Sequence, residues 1–283
     1  GMWNKSYYEA RVPRVPAMLL ELLSHQNFAD MRYGLDPKFK FTVSRAIYKG
    51  VLRFISLRDG LPYVVQPLPV NSFATDLAYT ANGPVAQLSW VPQTDALEPT
   101  AVAKQYIVYT AVSEPGQPIG GFDNGILVNE PKATIALEAG KIYSFKVVAV
   151  NEGGKSFPSE TLSVGVAAAN SQNETVLVIN GFDRISAPAN FATRDSSRAG
   201  FLNHLDGGVS YINDYSFIGR QHDYRRHIPW MDDDASGFGD SYADYETQVI
   251  AGNTFDYPSV HGSAILKAGY AFVSCSDEAV EDG

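Results

Sequence analysis

Between residues 60 and 168 the chain breaks into six short apolar runs, each closed by turn residues. That spacing constrains the fold more than any other feature. The runs are Val85–Val91, Tyr106–Val112, Ile126–Val128, Thr134–Leu137, Ile142–Asn151 and Thr161–Ala167. Glu114-Pro115-Gly116, Asp123-Asn124-Gly125, Glu138-Ala139-Gly140 and Glu152-Gly153-Gly154 separate them. Short runs with such turns predict an antiparallel β-sandwich, because hairpins reverse the chain and each strand offers one face to a core. In the fifth run Tyr143, Phe145, Val147 and Ala149 fall on one face by period-2 alternation. The single cysteine, Cys275, excludes an internal disulfide and a multi-cysteine metal site, so packed cores must supply the stability.

These residues resemble a fibronectin type III domain. Leu88-Ser89-Trp90 is similar to the second strand with its core tryptophan, and Tyr106-Ile107-Val108-Tyr109 to the third. Tyr143 to Asn151 is similar to the sixth strand with its tyrosine corner, and Gly153-Gly154-Lys155-Ser156 with Pro158-Ser159 to the loop into the last. The resemblance implies that Trp90 and Tyr143 are core residues rather than ligand contacts. Proline-punctuated Pro62–Pro69 and the small, polar stretch Ala167–Glu174 read as linkers. The expected organisation is therefore multi-domain α+β. An N-terminal segment covers 1–61, the all-β sandwich 62–168, and an α/β domain with a parallel sheet 173–283.

In the N-terminal segment, Pro16 to Leu23 reads as a buried strand carrying one carboxylate, Glu21. A carboxylate there is costly unless it is paired, ligated or at the strand's open end. Asp36 and Pro37 suit the start of a helix. Phe39, Val43, Ala46, Ile47, Gly50 and Phe54 would form its buried face. Pro16 to Glu21, Ser24 to Asn27 and Ala46-Ile47-Tyr48-Lys49-Gly50-Val51 resemble the C-terminal end of zinc N-acetylmuramoyl-L-alanine amidases. That resemblance implies Glu21 as the catalytic acid/base beside a zinc-bound water. The family's zinc ligands lie upstream of this strand, and no histidine precedes Glu21. Zinc is expected for a complete amidase domain and not for this chain, which should be inactive alone.

Val176-Leu177-Val178-Ile179 reads as a continuous apolar strand, residues 258–268 as a helix and Tyr270–Ser274 as a second, parallel strand. His261, Ala264, Ile265 and Ala268 line one side of that helix. Open α/β sheets bind ligands beyond the carboxyl ends of their strands. The insertion 182–257 is too long for a plain loop and should wall a cleft there. Asn180, Asp183, Trp230 and Asp233 are the candidate ligand-binding residues. Asp232-Asp233-Asp234 could hold a hard cation but lacks EF-hand spacing, so a solvated acidic loop stays open as the other reading. Trp230 and the tyrosines beside Asp and Arg also suit sugar stacking. Cys275 at a strand end lacks a nucleophile elbow and reads as an idle thiol. A two-stranded parallel sheet is unfinished, so the natural protein is expected to continue past Gly283; Gly1 ahead of Met2 reads as a tag remnant, which puts the natural start upstream.

The net charge of −9 argues against nucleic acid and anionic membranes as partners. No stretch approaches the roughly 18–20 apolar residues of a transmembrane helix. The order of the parts resembles families of large secreted proteins labelled as amidases or as xanthan lyases. Nothing in the sequence reads as the helical toroid and β-supersandwich of a lyase. The resemblance implies a periplasmic or extracellular cell-envelope protein with peptidoglycan or another glycan as partner. The alternatives are a non-catalytic carbohydrate- or surface-binding protein and an accessory region of a polysaccharide-degrading enzyme.

Overall fold

The computed structural model describes residues 7–24, 27–167, 174–181, 190–195, 198–201, 224–225 and 255–281. The chain divides into two units, Gly1–Val43 with Ser186–Asn253, and Ser44–Ile185 with Thr254–Gly283. In chain order the helices are α1 (Tyr8–Arg11), α2 (Phe28–Gly34), α3 (Pro37–Asp59), α4 (Tyr257–Lys267) and α5 (Glu278–Glu281). The strands are β1 (Asn71–Thr80), β2 (Gly83–Val91), β3 (Gln105–Ser113), β4 (Ile126–Val128), β5 (Lys132–Ala136), β6 (Ile142–Asn151) and β7 (Gly154–Lys155). They continue as β8 (Leu162–Gly165), β9 (Val176–Asn180), β10 (Asn190–Ala192), β11 (Arg198–Phe201), β12 (Tyr224–Arg225) and β13 (Phe272–Ser276).

The first unit holds α1, α2 and a small antiparallel sheet of β10, β11 and β12. Asn27 caps α2 by accepting from the backbone N–H groups of Ala29 and Asp30. The expected buried strand at residues 16–23 does not form. This segment carries no strand and is exposed throughout, Glu21 included. An isolated apolar run has no partner strand here, and its backbone cannot make a sheet alone.

In the second unit β1, β2 and β5 pair antiparallel, as do β4, β3, β6 and β8. These are the two faces of a fibronectin type III-like sandwich. Phe73, Leu88, Trp90, Tyr106, Val108, Phe145, Val147, Leu162 and Val164 pack between them. Trp90 stacks edge-on against Phe73 and Tyr106, with ring centroids 6.2 and 5.3 Å away. Tyr143 is buried, and its hydroxyl accepts from the Glu138 backbone N–H at 3.1 Å, closing the tyrosine corner. Ser156 and Ser159 hydroxyls accept from the β6 amides of Ala149 and Val147, where Pro158 could not pair. The buried Asn151 amide donates to the carbonyls of Val65, Thr100 and Val102 and so pins the incoming linker. Gly153 lets Val64 pass close: a side chain there would collide with the Val64 carbonyl.

The parallel pair expected from sequence is present, with Val176 to Asn180 of β9 opposite Phe272 to Ser276 of β13. It does not stand apart as an α/β domain. The other edge of β13 joins both halves of the sandwich, through Gly165 of β8 and Ala74 of β1. Buried hydroxyls make the join. Ser274 Oγ donates to the Ser163 carbonyl and accepts from the Ser163 N–H, both at 2.8 Å. Thr75 Oγ1 donates to the Ser274 carbonyl at 2.8 Å and accepts its N–H at 2.9 Å. The Phe272 ring fills the space between Gly165 and Gly262 of α4, and a Cβ on either glycine would overlap it. The buried face of α4 is thus Pro258, Ser259 and Gly262, while His261, Ala264 and Ala268 are exposed. The expected face was wrong because glycine, silent in a hydrophobic count, marks the closest approach.

The buried face expected for α3 is also corrected. Ala46, Ile47, Gly50 and Phe54 are exposed. Polar groups hold the opposite side. Arg45 bonds Asp95 at 2.9 Å and the Gln66 carbonyl at 3.0 Å, and Lys49 lies 3.8 Å from Asp95. Glu98 accepts from the Tyr63 hydroxyl and the Thr100 hydroxyl, each at 2.8 Å. Burial works to raise the carboxylates of Asp95 and Glu98, but hydrogen bonds from Arg45, Leu97, Tyr63 and Thr100, with the Lys49 charge, outweigh it and hold both below their usual range. Burial first, then the Glu98 contact, pushes the Tyr63 hydroxyl up to about 12.

Two outcomes are expected. Trp90→Ala should cost about 3–5 kcal/mol in denaturant unfolding through lost burial and cavity formation. Trp90→Phe should cost much less, because the Trp90 indole N–H has no hydrogen-bond partner to lose; equal costs would contradict this packing. Asp95→Asn should lower stability by about 1–3 kcal/mol at neutral pH. Carboxylates with lowered values stabilise above their ordinary range and lose that contribution as pH falls through the lowered values. The gap between wild type and Asp95→Asn should therefore close on acidification, and a constant gap would contradict the assignment.

Candidate functional site

The carboxyl ends of β9 and β13 form the polar site that the parallel pairing creates. Asn180 and Ser276 are register partners, so their side chains leave the sheet on the same face as Phe272. Phe272 packs on Gly262, which makes this the face that α4 covers. Asn180 is 3% exposed and Ser276 fully buried. Among the described residues the Asn180 amide nitrogen has no hydrogen-bond partner. Ser276 Oγ accepts from the Ala279 N–H at 3.3 Å, starting α5. The Cβ position of Gly181 stands 4.0 Å from Asp277 Oδ2, an ordinary van der Waals distance that puts this carboxylate beside the end of β9. One buried donor and one buried hydroxyl thus share a face where both strands end, with the Asp277 carboxylate next in the chain. Such a set can hold a neutral ligand that both donates and accepts hydrogen bonds.

Of the residues expected here from sequence, Asn180 stands at the site; Asp183, Trp230 and Asp233 lie outside the described residues. Sequence reasoning missed Ser276 as a partner of Asn180, although the parallel register would have named it. Cys275 is buried, and burial, then the Asp277 charge, pushes its thiol up, which disfavours the nucleophilic thiolate. His261 is exposed and stacks on Tyr257, with ring centroids 6.4 Å apart. Glu21 is exposed in the other unit. Among the described residues no three His, Cys, Asp or Glu side chains group closely enough to hold a metal ion. The described residues therefore do not fit the zinc of an amidase. Among them, too, no helix is long and apolar enough to cross a membrane.

A second concavity, a broad groove of about 780 Å³, lies on the outer face of the sandwich between Asp76, Gln87, Ser89, Asn129, Lys132 and Thr134. All six side chains are exposed, so it has no buried anchor of the kind Asn180 provides.

No protein-family model and no curated protein matches the chain. Solved structures that resemble it include fibronectin type III domains. The twitchin kinase region from C. elegans is 22% identical, over 38% of this chain and 18% of that one, with a TM-score of 0.30. The fibronectin type III domain of human fibronectin type III domain containing protein 3 is 22% identical, over 38% of this chain and 94% of that one, with a TM-score of 0.27. The chain spans less than a fifth of the twitchin and titin kinase regions that it resembles. The likeness concerns the sandwich fold alone, which the strand pairing in this chain defines by itself.

Proposed function

We propose that this chain is a non-catalytic, glycan-binding section of an extracytoplasmic cell-envelope protein, with the ligand seated at the carboxyl ends of β9 and β13. The observation that carries this reading is the Asn180 amide, buried with its nitrogen unpaired. A buried, unsatisfied donor costs about 1–3 kcal/mol, and a ligand oxygen would recover that cost on binding. Ser276 and Asp277 beside it offer the mixed donors and acceptors that suit vicinal hydroxyls or an acetamido group. The sandwich, welded to β13, holds these groups on regular strands rather than on loops. Peptidoglycan fragments are the first ligands to test, because the N-terminal segment resembles peptidoglycan amidases.

A second reading, a section of such an amidase, draws on apolar exposure. Met18, Leu19, Leu20 and Leu22 are 47–71% exposed, and Ile47, Val51 and Phe54 are 38–48% exposed, on the segments that the resemblance assigns to a catalytic domain. In that reading Glu21 is the acid/base of a site whose metal ligands this chain does not supply.

Titration of the purified chain with muropeptides and with neutral oligosaccharides, followed by amide chemical shifts, tests the first reading. Asn180→Leu should weaken binding at least about tenfold, a loss of 1.4 kcal/mol or more, while leaving thermal stability unchanged or raised. Binding that survives in Asn180→Leu, or no binding to any glycan by the wild type, would overturn it. Muropeptide cleavage by the chain alone would favour a catalytic role.

A further inference from the structure

We infer, on the glycan-binding reading above, that the group seated at the ends of β9 and β13 is an N-acetyl group, its carbonyl oxygen accepting from both Asn180 and Ser276. Hydrogen-bond supply decides the group. The Asn180 amide nitrogen carries two protons, and among the described residues it has no acceptor for either. Ser276 Oγ acts there only as an acceptor, from the Ala279 N–H at 3.3 Å, which leaves its own proton to give. The two residues are register partners on strands about 4.8 Å apart, so one oxygen can lie within reach of both. What the site lacks is an acceptor. A carbonyl oxygen brings two lone pairs and no proton, whereas a hydroxyl must also place its own.

Burial points the same way. Asn180 is 3% exposed and Ser276 fully buried, and Phe272 packed on Gly262 closes the same face further down the strands. A hydroxyl fixed to a sugar ring cannot reach so deep a donor unless the ring follows it. An acetamido group stands off the ring on a narrow planar arm and can enter alone. Charge disfavours the other common acceptor, a carboxylate. It would meet Asp277 and Glu278, the two residues that follow β13, in a chain of net charge −9. A neutral amide meets no such repulsion. Its N–H suits a carboxylate such as that of Asp277, which lies beside the end of β9.

Chitotriose and cellotriose, the linear trimers of N-acetylglucosamine and of glucose, differ only in the acetamido group that replaces one hydroxyl on each ring. Titrated into the full chain and followed by chemical shifts, chitotriose should bind at least about tenfold more tightly than cellotriose. The side-chain NH2 signals of Asn180 should move with chitotriose and stay still with cellotriose. Asn180→Leu, checked for an unchanged fold by circular dichroism, should bring the two affinities together. Equal affinities in the wild type would overturn the N-acetyl inference, and if Asn180→Leu then loses both sugars the broader glycan-binding reading stands. A preference for chitotriose that survives in folded Asn180→Leu would overturn the inference too, since the acetamido group would then be read elsewhere. Failure of both trimers to bind, together with failure of every other glycan, would sink the glycan-binding reading and this inference with it.

Discussion

The two hydroxyl exchanges at Ser274 hold the second unit together. The backbone N–H and carbonyl of this residue engage the Thr75 side chain, and its own hydroxyl engages the backbone of Ser163. Ser274 and Ser163 are fully buried, so each of these polar groups would be expensive without its partner. In an ordinary two-sheet sandwich, the strands corresponding to β1 and β8 are separate edges. Here the side chains of Thr75 and Ser274 stand in for missing ladder bonds, and β13 spans the seam. Ser144 and Ser163 extend the polar seam, their hydroxyls 2.8 Å apart. That bond explains why the face of β6 turned away from the core can be buried and yet carry a serine.

Close approach depends on the same seam. Phe272 can enter only because Gly165 and Gly262 lack side chains, so β13, β8 and α4 meet around one ring. Val273, one position on, points the other way and joins the sandwich core. A single strand therefore contributes to two packing layers. Its final residue, Ser276, lies opposite Asn180 at the end of the parallel pair. The site inherits its rigidity from the sandwich rather than from an open sheet of its own.

The sequence made some of this legible and concealed the rest. Runs such as Ile142–Asn151 were readable because alternation and flanking turns agree, and the parallel pair because two apolar strands flank one helix. The first strand, β1, escaped notice: Ser72 there has a positive φ of 49°, and a bulge between Asn71 and Ala74 breaks the alternation. The wrong face was expected for α3 because periodicity locates an apolar stripe without saying whether anything covers it. The side that docks does so through Arg45, Tyr48 and Lys49, which count as solvent-facing in any hydrophobic pattern. Asn180 followed from the general rule about strand ends. Its partner Ser276 needed the register, which lies in the pairing of segments far apart in sequence.

Thr75 and Ser274 are 199 residues apart. During synthesis β1 to β8 emerge and can form their hairpins long before β13 exists, since chains fold domain by domain as they are made. Until β13 arrives, the β1 and β8 edges lack the strand that joins them, and Thr75 and Ser163 lack the partner that satisfies them. Closing so long a loop is slow compared with forming local hairpins. A strand translated long after β1 to β8 is thus the one that joins their edges, and a chain halted before it would be left with its seam open.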